Sequence, residues 1–162
     1  MTIDAHIVQL SISRGGVPKL PIAEAEVTEL GIVGDGHNDT AHHGGPERAL
    51  CLFAVEPIEA MAAEGHPIAA GSTGENITTR GLDWAAIVPG VRLRLGDEVV
   101  VEITRYTTPC ATNQRWFIDG DFNRMHQKLH PGSSRVYAQV LAPGRLRVGD
   151  AIHVVATPEV EP

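Results

Sequence analysis

The sequence predicts a mainly β fold, an antiparallel barrel with a few short helices, and three observations carry that prediction. Segments that alternate apolar with polar residues, or are rich in β-branched residues, recur along the chain. Seventeen glycines and eleven prolines are scattered between them as turn punctuation rather than gathered into a linker. The spacing of these segments suits an antiparallel barrel better than regularly alternating strands and helices.

Taken in order, the period-2 stretches are "HIVQLSI" (His6 to Ile12), "AEVTEL" (Ala25 to Leu30), "RLRLGDEVVVEIT" (Arg92 to Thr104), "RVYAQVL" (Arg135 to Leu141) and "AIHVVA" (Ala151 to Ala156). The steps Gly96-Asp97 and Gly149-Asp150 punctuate two of them. "ALCLFAV" (Ala49 to Val55) is a short apolar run expected to be a buried strand, which makes Cys51 a core residue. Pro57, the helix formers through Ala63 and the stop at Gly65 predict one short helix. A second helical candidate, Asn113 to His130, is broken by Gly120. Its Trp116, Phe117, Phe122, Met125 and Leu129 fall near helical spacing, as in a lid packed on the barrel.

A chain of 162 residues with 43% hydrophobic residues fits one domain, residues 1–162, with a tail from residue 157 expected to fray. The net charge of −7 argues against a nucleic-acid-coating surface, so any anionic ligand has to be held locally. No apolar run approaches the roughly 20 residues of a membrane span, and "MTIDAHIVQL" lacks the features of a signal peptide, so a cytoplasmic location is expected. Two cysteines are too few for a disulfide framework.

Four places carry residues of chemical interest. Cys110 follows Pro109, which ends regular pairing and brings the thiol out at a strand end; Arg105 or Arg115 is available to stabilise a thiolate. The loop "HNDTAHHGG" supplies His37, Asp39, His42 and His43 as a possible metal set, although no spacing there is a metal signature. The same loop, with the glycines of "GIVGDG" before it and Gly44, Gly45 and Arg48 at its end, also reads as a backbone cradle for an anion. Asn76 is a turn residue or a side chain aimed into a pocket, and Lys19 is a solvated cation or a ligand contact.

In order along the chain, "VPKLPI", "GIVGDGHNDTAHHGGPERAL", "AAGSTGENITTRGLDW", "VRLRLGDEVVVEITRYTTPC" and "RVYAQVLAPGRLRVGDAIHVV" resemble the MOSC domain, named for the C-terminal part of molybdenum-cofactor sulfurases. The resemblance runs from about Lys19 to Val155 and is that of a small stand-alone bacterial member. It implies a MOSC-type β-barrel and a cysteine, here Cys110, that carries sulfur as a persulfide or ligates molybdenum. It further implies a molybdenum-cofactor (molybdopterin) ligand and work in sulfur transfer or in reduction of N-hydroxylated compounds. A redox protein or cysteine desulfurase is the implied partner. Lys19, Asp35, His43, Gly44, Gly45, Arg48, Asn76 and Arg135 are then the cofactor-binding candidates.

Pyridoxal phosphate, which also accompanies the family, belongs to the desulfurase domain of larger fusions and is not expected on Lys19. Two departures stand out: Ser134-Arg135 replaces an Arg-Gly-aromatic-Tyr approach to the strand, and "CATNQ" is more polar than the family pattern after the cysteine. Both imply an altered ligand or substrate. Two other functions stay open: a metal-dependent hydrolase or lyase using the His37–His43 loop, and a non-catalytic module that delivers cofactor. The oligomeric state is also open, a dimer included.

Overall fold

The computed structural model describes residues 4–36 and 45–158. Eleven strands and one α-helix are formed by these residues. The strands are β1 (His6–Ile12), β2 (Leu20–Ile22), β3 (Glu24–Thr28), β4 (Gly31–Ile32) and β5 (Leu50–Ala54) before helix α1 (Val55–Ala63). After it come β6 (Ile77–Arg80), β7 (Arg92–Leu95), β8 (Val99–Tyr106), β9 (Val136–Ala142), β10 (Gly144–Arg147) and β11 (Ile152–Ala156). Eight of them form one sheet in the order β11-β7-β8-β9-β5-β6-β1-β2; β10-β3-β4 form a second.

The mainly β expectation holds, and the strand faces follow the sequence periodicity. Leu93 and Leu95 of β7 and Val99, Val101 and Ile103 of β8 are buried while their intervening neighbours are not, the alternation of a sheet covered on one face. All five residues of β5 are buried, as a continuous apolar run in the middle of a sheet requires.

A closed antiparallel barrel is not formed. β5 and β6 pair in parallel, joined through α1, with Leu52 opposite Ile77. The two ends of the sheet meet over a short stretch, at the bridge between His6 and Ala151 and the backbone bonds beside it from Ile7 N to Asp150 O, Gly149 N to Ile7 O and Ile152 N to Ala5 O. The reason lies in β1, which pairs with β6 through His6 to Leu10 and with β2 through Leu10 to Ile12. Its end near His6 alone is left for β11, which runs on as an edge with His153 to Ala156 exposed.

The segment after Cys110 is likewise not an α-helix. It forms two 3-10 turns, Ala111–Trp116 and Phe122–Met125, separated by Gly120 at φ +71. Phe117 and Met125 reach the core, but Leu129 is 62% exposed, so the helical spacing that groups it with them is coincidental. Local side-chain bonds such as Asp121 Oδ1 accepting from Asn123 N compete with helix continuation here. Helix α1 begins at Val55, two residues before Pro57, whose missing N–H still falls in the first turn where it costs no intrahelical bond. Among the described residues no helix is long and apolar enough to cross a membrane.

Candidate functional site

β8 carries the chain to Tyr106, pairing runs on for one more backbone bond, Thr107 N to Arg135 O at 2.9 Å, and Pro109 then has no N–H to continue the ladder. The backbone stays extended at Cys110 (φ −139°, ψ 168°) and then folds into the 3-10 turn. This brings the partly exposed Cys110 onto a cavity of about 660 Å³. Its Sγ lies 2.7 Å from Thr112 Oγ1.

The cavity floor is supplied by adjacent strands. Cys51 on β5 is registered with Tyr137 on β9, and Tyr137 with Arg105 on β8, so the three form a cross-strand row that lines the cavity. Cys51 is buried as the sequence implies, yet it is also a wall residue. Burial pushes its thiol pKa up, with Arg135 pulling in the other direction. Burial also raises the Tyr137 phenol to about 12, so it stays protonated at any physiological pH. The Arg48 guanidinium stands 5.8 Å from the Tyr137 ring centroid, within cation–π range.

One wall is a polar bracket. Lys19 Nζ contacts Asp35 Oδ1 at 2.6 Å and Oδ2 at 2.8 Å, with both side chains buried. Asp35 also accepts from Ser13 N at 3.0 Å and from Asn76 Nδ2 at 2.9 Å. Asn76 Oδ1 accepts from Cys51 N at 3.0 Å, and Asn76 Nδ2 has a second acceptor in Ser11 O at 3.3 Å. The Asn76 amide is thus spent on tying β1, β5 and Asp35 together. It shapes the cavity that it lines.

The loop between Gly71 and Asn76 joins this bracket to the cysteine turn. Thr73 O accepts from Arg135 Nη1 at 2.9 Å and from Asn113 Nδ2 at 3.2 Å. Asn113, only 1% exposed, sits in the turn that follows Cys110 and accepts from Trp116 Nε1 at 3.2 Å. Inside the loop, Glu75 is fully buried and accepts from Gly71 N, Thr73 Oγ1 and Thr78 Oγ1. Desolvation raises its pKa, opposed by those same hydrogen bonds. Gly71 is forced to be glycine: at φ +85° an added Cβ would fall 2.5 Å from Lys19 O.

The charges on the walls are one-sided. Lys19, Arg48, Arg105 and Arg135 line the cavity, and no aspartate or glutamate does among the described residues. Lys19, Arg48, Asn76, Arg135 and Cys110 are therefore brought together, with Asp35 behind Lys19. Gly45, at φ +81° before the 3-10 turn Pro46–Arg48, does not line the cavity. His37, Asp39, His42, His43 and Gly44 lie outside the described residues, and among those described no cluster of three or more His, Cys, Asp or Glu is arranged to hold a metal. Of the two arginines considered beside the thiol, Arg105 reaches the cavity while Arg115 lies 5.5 Å from the Trp116 ring. Sequence reasoning misses Tyr137, Thr73 and Asn113 as wall residues. Tyr137 alone carries a signal, since it shares a strand face with Arg135.

The fold is a mainly β domain with a cationic cavity and a reachable thiol on its wall, and sequence comparison supplies its family. The MOSC domain model matches residues 39–153, and the chain belongs to that family, a molybdenum-cofactor-related domain. YflK of Bacillus subtilis (strain 168) is 29% identical over 127 residues, covering 78% of this chain and 56% of that protein. YiiM of Escherichia coli (strain K12) is 29% identical over 137 residues, covering 82% and 60%. A protein of Gibberella moniliformis named Reductase is 28% identical over 133 residues, 79% of this chain but 23% of its own. The chain thus spans little more than half the length of the two bacterial relatives. The crystal structure of YiiM from Escherichia coli superposes with a TM-score of 0.71 at 24% identity, covering 96% of this chain and 72% of that one. The YUAD protein from Bacillus subtilis gives 0.73 at 17%, covering 93% and 94%. These two likenesses concern the fold alone.

Proposed function

We propose that this MOSC domain binds a molybdenum-pterin-type cofactor in the cavity, with Cys110 as the thiolate that carries sulfur as a persulfide or ligates molybdenum. The observation that carries the reading is the wall itself: one reachable thiol shares a cavity lined by four cationic side chains and, among the described residues, by no carboxylate, with Lys19 and Arg105 ion-paired to Asp35 and Glu47 outside the lining, in a chain of net charge −7. Such a site concentrates anions that the rest of the surface repels. Molybdopterin presents a phosphate, a polar bicyclic pterin and a dithiolene-bound metal, so it needs cations, hydrogen bonds and a soft sulfur ligand.

Here Arg48 and Arg135 would meet the anionic part, with Lys19 held in place by Asp35, and Cys110 would face the metal end. When bound, the molybdenum centre supplies two-electron redox chemistry. The chain's own residues would bind and orient it, over a floor that includes the buried Cys51 and Tyr137. A relative named Reductase, 23% of which is matched, is in keeping with a reductive role, and N-hydroxylated compounds are the substrates proposed from the family resemblance. Pyridoxal phosphate has no place in this reading, because the ammonium of Lys19, the cavity's lysine, is occupied by both oxygens of Asp35.

Cys110→Ser tests the proposal. It is expected to abolish sulfur transfer and reduction while changing stability by no more than about 0.5 kcal/mol, as for a partly exposed side chain with one neighbouring hydroxyl. Full activity in Cys110→Ser ends the proposal. Elemental analysis of the same preparations separates it from a metal hydrolase at His37, Asp39, His42 and His43. Molybdenum or persulfide sulfur supports the cofactor reading; stoichiometric zinc, iron or manganese supports the hydrolase.

A further inference from the structure

Three of the cavity's cations are held in different ways, and of these Arg135 is the one left with an open side. Lys19 faces Asp35, and Arg105 Nη2 faces Glu47 Oε2 at 3.0 Å. Arg135 lines the cavity and is 4% exposed, but its one bond is from Nη1 to the neutral Thr73 O. Its Nε and Nη2 have no partner among the described residues. These two nitrogens form a single edge of the planar guanidinium, the edge that donates two parallel hydrogen bonds to a carboxylate or phosphate.

A buried charge left half unpaired is costly unless something fills the gap. The surrounding backbone is fixed against relaxation: Arg135 O accepts from Thr107 N at 2.9 Å and from Ser134 Oγ at 2.8 Å, and Ser134 O accepts from Trp84 Nε1 at 2.8 Å. Both open nitrogens are shielded from solvent as they stand, so an anion reaches them only if the guanidinium turns about its Thr73 anchor toward the cavity that Arg135 lines. Ser134-Arg135 is also where the sequence departs from the pattern that it otherwise resembles.

We propose that Arg135 is the oxyanion-recognition point of the cavity, a two-pronged seat for a phosphate or carboxylate group. The inference rests on the cavity being the ligand site, and not on the role of Cys110.

The test is anion binding to the full chain after dialysis to remove small molecules, followed by thermal shift and calorimetry. Inorganic phosphate and benzoate are the probes, with chloride at matched ionic strength as the control. Wild type is expected to show a saturable rise in melting temperature. Arg135→Lys, which keeps the charge but loses the fork, should bind about tenfold or more weakly. Arg135→Gln should show no anion response, while its melting temperature without anion equals or exceeds that of wild type, since an unpartnered charge has been removed. Should Arg135→Gln misfold by circular dichroism, Arg135→Lys decides alone.

Preference for phosphate assigns the seat to a phosphate monoester such as the cofactor's. Benzoate binding that persists in cofactor-loaded protein assigns it to a carboxylate substrate. No saturable effect in wild type, or equal binding in wild type and Arg135→Lys, overturns the proposal. Cys110→Ser should keep the anion response, so loss of the cysteine reading leaves this one standing, and the reverse holds too.

Discussion

Asp35→Ala should be among the most damaging single changes at the cavity wall, although Asp35 stands behind Lys19 and does not itself line the cavity. Its two oxygens receive four hydrogen bonds: Lys19 Nζ on both, Ser13 N on one and Asn76 Nδ2 on the other. The Lys19 and Asp35 side chains are 8% and 3% exposed, so water does not replace a lost partner cheaply. Removing one member of such a pair leaves an uncompensated buried charge and costs about 3–5 kcal/mol. At roughly 2–4 °C per kcal/mol for a chain of this size, the melting temperature should fall by about 6–20 °C. Asp35→Asn, which keeps an acceptor but not the charge, should fall between. The double variant Lys19→Met/Asp35→Leu should recover much of the loss, because neither charge is then stranded. Urea denaturation of these variants beside wild type measures each loss and the recovery. A loss below about 1 kcal/mol for Asp35→Ala, the range of an exposed pair, would refute the view that this bracket organises the wall.

Three further outcomes concern other parts of the molecule. Native alkylation mapped by peptide mass spectrometry should modify Cys110 and spare Cys51 until the protein is unfolded, because Cys51 is buried and its thiol pKa is pushed up. Glu75 has a native pKa raised above the ordinary 4.5 by burial, so between 4.5 and its native value the folded state holds a proton that the unfolded state has lost. Stability therefore decreases as pH rises through that window. Glu75→Gln should flatten this slope in urea titrations across the acidic range, and an unchanged slope would remove Glu75 as its source. Gly71→Ala should cost about 2 kcal/mol or more from the left-handed backbone and the clash with Lys19 O. Gly132→Ala, at φ +85° with open space around the added Cβ, should cost only the conformational part, about 1 kcal/mol, and thermal melts of the two variants compare them directly.

The elements legible in the sequence are those with period and length. The alternation of His6–Ile12 marks β1 with its observed bounds, and the hairpin through Gly96 and the buried run at Cys51 stand where the pattern places them. β2 and β4, at three and two residues, are too short to carry a period. β6 is hidden because "ITTR" looks like polar loop; Thr78 and Thr79 are fully buried, with Thr78 bonded to Glu75. Barrel closure is not readable because it depends on how β1 divides its edges between β2, β6 and β11.

For the site, the Pro-Cys step identifies the thiol, since proline's missing N–H is a local signal. Asn76 lines the cavity, but its amide neither bonds its own turn nor is left open: it is consumed by Cys51 N, Ser11 O and Asp35, 25 to 65 residues away in the sequence. The convergence of Thr73, Asn113 and Arg135 is not foreseeable, because their meeting rests on contacts across 40 and 62 residues of sequence.

That Cys110 is the working sulfur of a molybdenum-pterin site is tested most directly by mass spectrometry of untreated protein, in native mode for bound pterin and after digestion for the peptide holding Cys110. The expected result is a pterin-bound species, with either molybdenum that Cys110→Ser fails to retain or one added sulfur on Cys110. Protein purified from a molybdenum-replete, cofactor-producing host with neither pterin nor added sulfur, and the same spectrum from Cys110→Ser, would contradict it.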